Sequence, residues 1–299
     1  MYNIDIYNKK VEFDNMVYSI DKLRLKTYIT YAKFTELEFM INSVYKDKIK
    51  KFWISDRIMC FHYNYNIELD GFSFYFGFMH NNEGVNYNKE NMEYNFTIEF
   101  NPNKARDNGL ILHILDKFGN WYLKAFDLAI DIPVNILDIL VDISGRRKMQ
   151  TYSLGGDNIT YRFGTGDGKI KIYNKKNESD LNIVGHLTRV EVTKEFDDFP
   201  ISNIKRFTLD DNIFPYLYLN QYVFSFSDYT CKDKMLMAVL YAVQSGYPIK
   251  DLTRTYRKKL KDLLEAGSRI KFNKKSAIEV FNKTIFFYFV RRESKQVIF

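Results

Sequence analysis

Phe126-Asp127-Leu128-Ala129-Ile130-Asp131-Ile132 is the stretch on which the fold turns. Taken with a period of two, Phe126, Leu128, Ile130 and Ile132 share one face, and Asp127, Ala129 and Asp131 share the other. The first face is core. The second is acidic, and because carboxylates have poor strand propensity, two of them on one strand face suggest a use beyond facing water. Just upstream, Leu110 to Phe118 predicts a short buried helix ending near Gly119, with His113 as a packed core residue. Two further alternating stretches follow the acidic strand, and glycine clusters at 155–156 and 164–168 bracket the hairpin segment Asn158 to Phe163. The second cluster leads into a strand and lacks a Gly-Lys-Ser/Thr ending, so it predicts a turn rather than a phosphate loop.

In Gly168-Lys169-Ile170-Lys171-Ile172-Tyr173, Lys169, Lys171 and Tyr173 fall on one face, while Ile170 and Ile172 turn inward. A phenol thus ends a cationic stripe. His186 to Lys194 also alternates, with Val190 and Val192 on one side and Arg189 and Glu191 on the other. These residue types suit the attack of a tyrosine hydroxyl on a DNA phosphodiester. Phenol, with an ordinary pKa of about 10, needs a base or a metal to become a nucleophile. The charge that builds on the phosphoryl oxygens needs cations, and carboxylates are the ligands that Mg²⁺ or Mn²⁺ prefers. Asp127 and Asp131 lie about 13 Å apart along a strand, too far to hold one ion together. One of them is therefore expected to bind metal with Glu191, and the other to hold an Arg or Lys.

Three pieces in this order resemble the signature of the plasmid rolling-circle replication initiators: Phe-Asp-Leu-Ala-Ile-Asp at 126–131, Ile-Tyr-Asn-Lys-Lys-Asn-Glu at 172–178 and Arg-Val-Glu-Val-Thr-Lys at 189–194. These initiators form the replication initiation factor family (Rep_trans), which also includes relaxases of some integrative conjugative elements. The resemblance implies a metal-dependent enzyme that nicks and rejoins one strand of origin DNA through a 5′-phosphotyrosine. The tyrosine is Tyr173 by position, followed by Lys175 and Glu178; Tyr161 is a second candidate. The implied metal ligands are Asp127, Asp131, Glu178 and Glu191, with Arg189 orienting a carboxylate or neutralising charge, and Lys169 and Lys171 on phosphates. Where the family places an arginine two residues before the first aspartate, this chain has Ala125, with Lys124 and Lys176 as candidate substitutes. The implied partners are supercoiled origin DNA, single-stranded at the nick, a host helicase and a second copy of the chain. The alternatives are a relaxase acting at a transfer origin and a DNA-binding regulator without catalysis.

The rest of the chain fits that setting. It has 299 residues and a formal net charge of +7, a balance that favours polyanionic partners. Two distant cysteines, Cys60 and Cys231, give neither a disulfide framework nor a zinc motif. No His-x-His pair exists, so any metal site must be mostly carboxylate. The chain start lacks a signal-peptide pattern, and the longest apolar stretch, Thr284 to Val290, is far short of the roughly 20 residues that span a bilayer. A bacterial cytoplasmic location without membrane contact is expected.

The flanks predict the frame. Val17 to Thr27, Ile58 to Leu69, Phe72 to Phe78 and Tyr94 to Phe100 predict strands, with Asp70-Gly71 a hairpin turn. Phe34 to Lys46 predicts a helix, with Thr35 as its N-cap. Beyond Pro200, Ile213 to Phe226 predicts a strand or buried helix, and Cys231 to Ser245 a helix. Ile249 to Ala266 predicts a basic helix carrying Arg254, Arg257 and Lys258 as DNA contacts, and Ile278 to Val290 a strand or helix. The expected architecture is α+β: a largely antiparallel central sheet flanked by helices, with a C-terminal helical extension. Residues 1–228 would form the nicking domain, and residues 229–299 a helical region that sets DNA specificity.

Overall fold

The computed structural model describes residues 3–5, 10–12, 16–52, 63–69, 72–78, 93–106, 108–142, 149–155, 158–177, 185–210, 213–219, 234–244, 247, 249–267 and 269–289. The strands are β1 (Asn3–Asp5), β2 (Lys10–Glu12), β3 (Val17–Thr30), β4 (Ile49–Phe52), β5 (Tyr63–Leu69), β6 (Phe72–Phe78), β7 (Glu93–Phe100), β8 (Tyr122–Ile132), β9 (Ile139–Asp142), β10 (Met149–Ser153), β11 (Ile159–Phe163), β12 (Ile170–Asn174), β13 (Thr188–Pro200) and β14 (Tyr216–Leu219). The helices are α1 (Tyr31–Tyr45), α2 (Gly109–Lys117), α3 (Lys234–Gln244), α4 (Arg254–Gly267) and α5 (Lys274–Phe289). The fold is α+β and its strand pairings are antiparallel. The chain divides into two compact units, one of Met1–Tyr18, Ala129–Val192 and Leu209–Lys274, the other of Ser19–Leu128, Thr193–Thr208 and Lys275–Phe299.

In the second unit the strand order is β13-β8-β3-β7-β6-β5-β4. β5 and β6 pair from Tyr63↔Phe78 to Leu69↔Phe72, the register of a two-residue hairpin; the connecting Asp70-Gly71 lies outside the described residues. Leu23, Leu25 and Ile29 of β3 are buried, and Lys22, Arg24, Lys26 and Tyr28 form its polar face. Arg24 sits opposite Glu99 of β7 and binds it at 2.6 Å. α1 buries Phe34, Leu37 and Ile41 at helical spacing. Its N-cap is Thr30, whose hydroxyl accepts from the Lys33 amide; Thr35 instead donates to the Tyr31 carbonyl from inside the helix. α2 is capped by Asn108 and buries Leu110, Ile111, Ile114 and Leu115. This leaves His113 on the exposed side, not in the core as expected, because its position falls on the polar third of the helix.

The segment expected as strand or helix at the C-terminus is helical. Ala277, Phe281, Ile285 and Tyr288 recur at helical intervals and all are buried. Phe281 packs its ring 4.7 Å from Phe126 and 4.4 Å from Phe207, and the Tyr288 hydroxyl donates to the Pro102 carbonyl at 2.7 Å. α5 therefore helps build the core of the second unit.

In the first unit the order is β10-β11-β12-β13-β8. Phe163↔Ile170 closes the β11–β12 pairing, and Gly164, Gly166 and Gly168 between them have φ of 68°, 67° and 70°, left-handed values that suit glycine in a turn. A two-stranded ribbon pairs β14 with β9, and the Ile270 amide donates to the Leu217 carbonyl beside it. Of the aromatic stretch after Ile213, Tyr216–Leu219 is strand; residues 220–226 lie outside the described residues. Among the described residues no helix is long and apolar enough to cross a membrane.

Candidate active site

The registers of the first unit place Lys171, Tyr173, Arg189 and Glu191, with Thr160 and Arg162, in two rows across one sheet face. One row runs Thr160, Tyr173, Arg189, and the next Arg162, Lys171, Glu191. Strand alternation forces this grouping, since residues at i and i+2 share a side. The intervening Ile172, Val190 and Val192 are buried on the other face.

Tyr173 is the centre of the cluster. Its hydroxyl donates to Glu191 Oε1 at 2.5 Å, a charge-assisted bond at the short end of its range. Lys171 Nζ lies 3.8 Å from the ring centroid of Tyr173 and 3.9 Å from Glu191 Oε2. Lys175 Nζ lies 5.9 Å from the same ring, and its backbone amide donates to the Leu187 carbonyl at 2.8 Å, fixing the end of β12. Tyr173 is only 4% exposed. A carboxylate thus lies within hydrogen-bond reach of the phenolic proton, with the ammonium groups of Lys171 and Lys175 beside the ring.

Arg189, 8% exposed, makes a fork with Asp131: Nε donates to Oδ1 at 2.5 Å and Nη2 to Oδ2 at 2.6 Å. Planar guanidinium and carboxylate match in this geometry, which orients both. Asp127 belongs to the other unit, where Lys22 Nζ approaches Oδ2 to 2.6 Å and the Thr193 hydroxyl donates to Oδ1 at 2.7 Å. Each acid of β8 therefore holds a cation. Of the candidate substitutes for the family's arginine, Lys124 bonds Asp198 at 3.0 Å and the side chain of Lys176 is exposed. Lys22 could not be read as the partner of Asp127 from local sequence, as more than a hundred residues separate them.

The β8 alternation slips by one where Ala125 and Phe126 are both buried in succession. Lys124 binds Asp198, which also binds Lys26; Asp127 binds Lys22 on the same face of β3. Lys124 and Asp127 consequently share a face despite their odd spacing, as at a bulge. Asp198 itself has φ of 56° and sits between Lys26 at 2.6 Å and Lys124 at 3.0 Å. Burial alone would raise its pKa, but the two ammonium groups outweigh burial and hold the carboxyl below its usual range. Burial likewise opposes charge on Lys26, and the bond to Asp198 reverses this to keep its pKa above the ordinary lysine value.

Tyr161, the second candidate nucleophile, pairs with Ile172 and so points to the opposite face from Tyr173. It stacks on Phe163 with centroids 6.4 Å apart, and burial pushes its phenol's pKa up, which disfavours the tyrosinate. Glu178 lies outside the described residues. Lys169 leaves the glycine turn, its amide donating to the Gly166 carbonyl at 3.1 Å. On α4, Arg254 and Lys258 are exposed, whereas Arg257 is half-buried and donates from Nη2 to the Leu252 carbonyl at 2.9 Å. A cavity of about 560 Å³ in the second unit, lined by Phe118, Asn120, Trp121, Ile201 and Tyr288 among others, contains none of the expected site residues.

Among the described residues no three His, Cys, Asp or Glu side chains converge closely enough to hold an ion. The oxygens of Asp131 face Arg189, those of Asp127 face Lys22 and Thr193, and those of Glu191 face Tyr173 and Lys171. As arranged, the described carboxylates do not fit an all-carboxylate metal site.

Arg162 was not singled out from sequence, although its place was readable. Once β11 and β12 form a hairpin closed at Phe163↔Ile170, Arg162 must stand opposite Lys171.

No family model and no curated protein sequence matches the chain. Among solved structures, the chain is similar to the rolling circle replication initiator protein from Geobacillus stearothermophilus, with 12% identity and a TM-score of 0.38 over 87% of this chain and 99% of that one. At those values the likeness gives no residue-level correspondence.

Proposed function

We propose that the chain is a DNA strand transferase of the rolling-circle initiator type, with Tyr173 as nucleophile and Glu191 as its base. The observation that carries this reading is the Tyr173 to Glu191 hydrogen bond at 2.5 Å beside Lys171. Glu191 takes the phenolic proton as the tyrosine oxygen forms a bond to the scissile phosphorus. The bond from phosphorus to the 3′ oxygen breaks, and that oxygen leaves with a proton returned by Glu191. The products are a 5′-phosphotyrosine and a free 3′-hydroxyl able to prime synthesis. Lys171 and Lys175 offset the charge on the non-bridging oxygens. Arg189 and Asp131 act through position, since their fork fixes the strand next to Tyr173.

Because Tyr173 is 4% exposed, side chains around it, Lys171 and Lys175 beside its ring among them, must move for a phosphate to reach its oxygen. Long lysine stems permit this. A divalent ion remains part of the proposal through Glu178 with Glu191, and no step above is routed through it. Whether the DNA site is a replication origin or a transfer origin depends on the element that carries the gene, and residues 229–299 are proposed to select it.

The experiment incubates the protein with supercoiled plasmid carrying the cognate origin and Mn²⁺, then identifies the peptide joined to DNA. The expected adduct is on Tyr173 and is lost in Tyr173→Phe. An adduct that persists in that variant would move the nucleophile elsewhere. A competing reading, favoured by the burial of Tyr173, is a DNA-binding regulator whose ion pairs are structural; it predicts specific binding with no nicked product.

A further inference from the structure

Beside the Tyr173 cluster, and used by none of the chemistry above, stands an aromatic and cationic pair on the β10–β11 hairpin. Tyr152 pairs with Thr160, which pairs with Tyr173, so Tyr152 lies two strands from the nucleophile on the same sheet face. At the usual strand spacing that is roughly 10 Å. Tyr152 is 50% exposed. Arg162 is also exposed and stands with its guanidinium carbon 5.0 Å from the Tyr152 centroid. Gln150, on the same face, accepts the Tyr152 hydroxyl at 3.2 Å and holds the ring in place. β10 ends the strand order, so among the described residues no strand lies beyond it.

We infer that Tyr152 and Arg162 form a stacking platform for an unpaired nucleotide base adjoining the phosphate at Tyr173. The occupant follows from the chemistry. A ring with a cation at its face accepts another π system, and Arg162 with Lys171 supplies positive charge for the phosphate that joins base to base. A duplex would not fit, since a paired base offers no free face at a strand edge. The inference rests on the strand-transferase reading, because it takes the phosphate at Tyr173 as its reference point.

The test uses the full chain and a fluorescent single-stranded oligonucleotide containing the cognate nick site, with a non-cleavable linkage at the scissile position. An abasic residue is walked along it one position at a time. For the wild-type protein, affinity is expected to drop about tenfold at one position near the linkage. Tyr152→Ala should weaken binding to the intact oligonucleotide by the same factor and be indifferent to the abasic residue at that position. Tyr152→Phe should bind like wild type, because the platform uses the ring and not the hydroxyl. A Tyr152→Ala protein with wild-type affinity, or one that keeps the wild-type response to the abasic residue, overturns the platform while leaving Tyr173 chemistry intact. Wild-type protein that binds no single strand overturns both. Circular dichroism of each variant checks the fold, which substitution of an exposed side chain should leave unchanged.

Discussion

At the scale of single residues, the site depends on how each acid is partnered. Glu191 touches the phenol directly, so Glu191→Gln should leave DNA binding intact and slow adduct formation by about 10²–10⁴-fold in a quenched-flow assay, the range for losing a general base. Asp131 and Arg189 are a different case, because Arg189 is buried, the Asp131 side chain is only 14% exposed and their fork is complete. Arg189→Ala strands a carboxylate, and urea melts should find a loss of about 3–5 kcal/mol. Asp198 carries a pH signature. Its folded pKa lies below the ordinary value, so its contribution is fully present above the unfolded pKa of about 3.9 and is lost as pH falls through the folded pKa. The stability gap between wild type and Asp198→Asn, followed by denaturant melts, should hold steady near neutral pH and shrink on acidification below about pH 4. Partial solvent exposure keeps that gap small.

At the scale of elements, two departures from simple periodicity matter. In β8, Ala125 and Phe126 are buried in succession, so that Lys124 and Asp127 come to one face. Pure alternation would have put them on opposite faces. In α5, the aromatic run Ile285-Phe286-Phe287-Tyr288 has the composition of a strand, yet Phe281 and Tyr288 lock it as a helix in the second unit's core. Phe281→Ala should cost about 3–5 kcal/mol in a denaturation curve, as for other buried phenylalanines. A loss under 1 kcal/mol would mean that α5 is not a core element. α4 differs again, with Arg254 and Lys258 exposed and Arg257 turned back onto the Leu252 carbonyl. A phosphate contact by α4 would then come from Lys258 before Arg257.

At the scale of the molecule, the excess of seven positive charges makes salt the simplest probe of DNA contact. Log affinity for duplex should fall linearly with log salt, and Lys258→Ala should reduce the magnitude of that slope by about 0.9 if its ammonium meets one phosphate. Titrations at several salt concentrations measure this, and an unchanged slope removes α4 from the interface. The same preparation tests the proposed ion: chelation should stop nicking and Mn²⁺ should restore it. Nicking that survives chelation would restrict Glu191 to proton transfer.

Local order was legible in the residues themselves. The β8 stretch, strands β5 and β6, the glycine turn before β12 and helices α2, α3 and α4 all follow from alternation, helical spacing and turn chemistry, which act within a few residues. So does the sharing of a face by Lys171 and Tyr173. Partners across strands were not legible, because side-chain pairing depends on register between segments far apart in the chain. Lys22 with Asp127, Arg189 with Asp131, and the opposite facing of Tyr161 and Tyr173 are decided by which strands lie side by side. Sequence alone therefore determined which side chains share a strand face, and tertiary structure decided that Tyr173 meets Glu191 while the β8 acids are held by cations. Short-range sterics set the first; only the closing of long loops, at an entropy cost no local pattern encodes, sets the second.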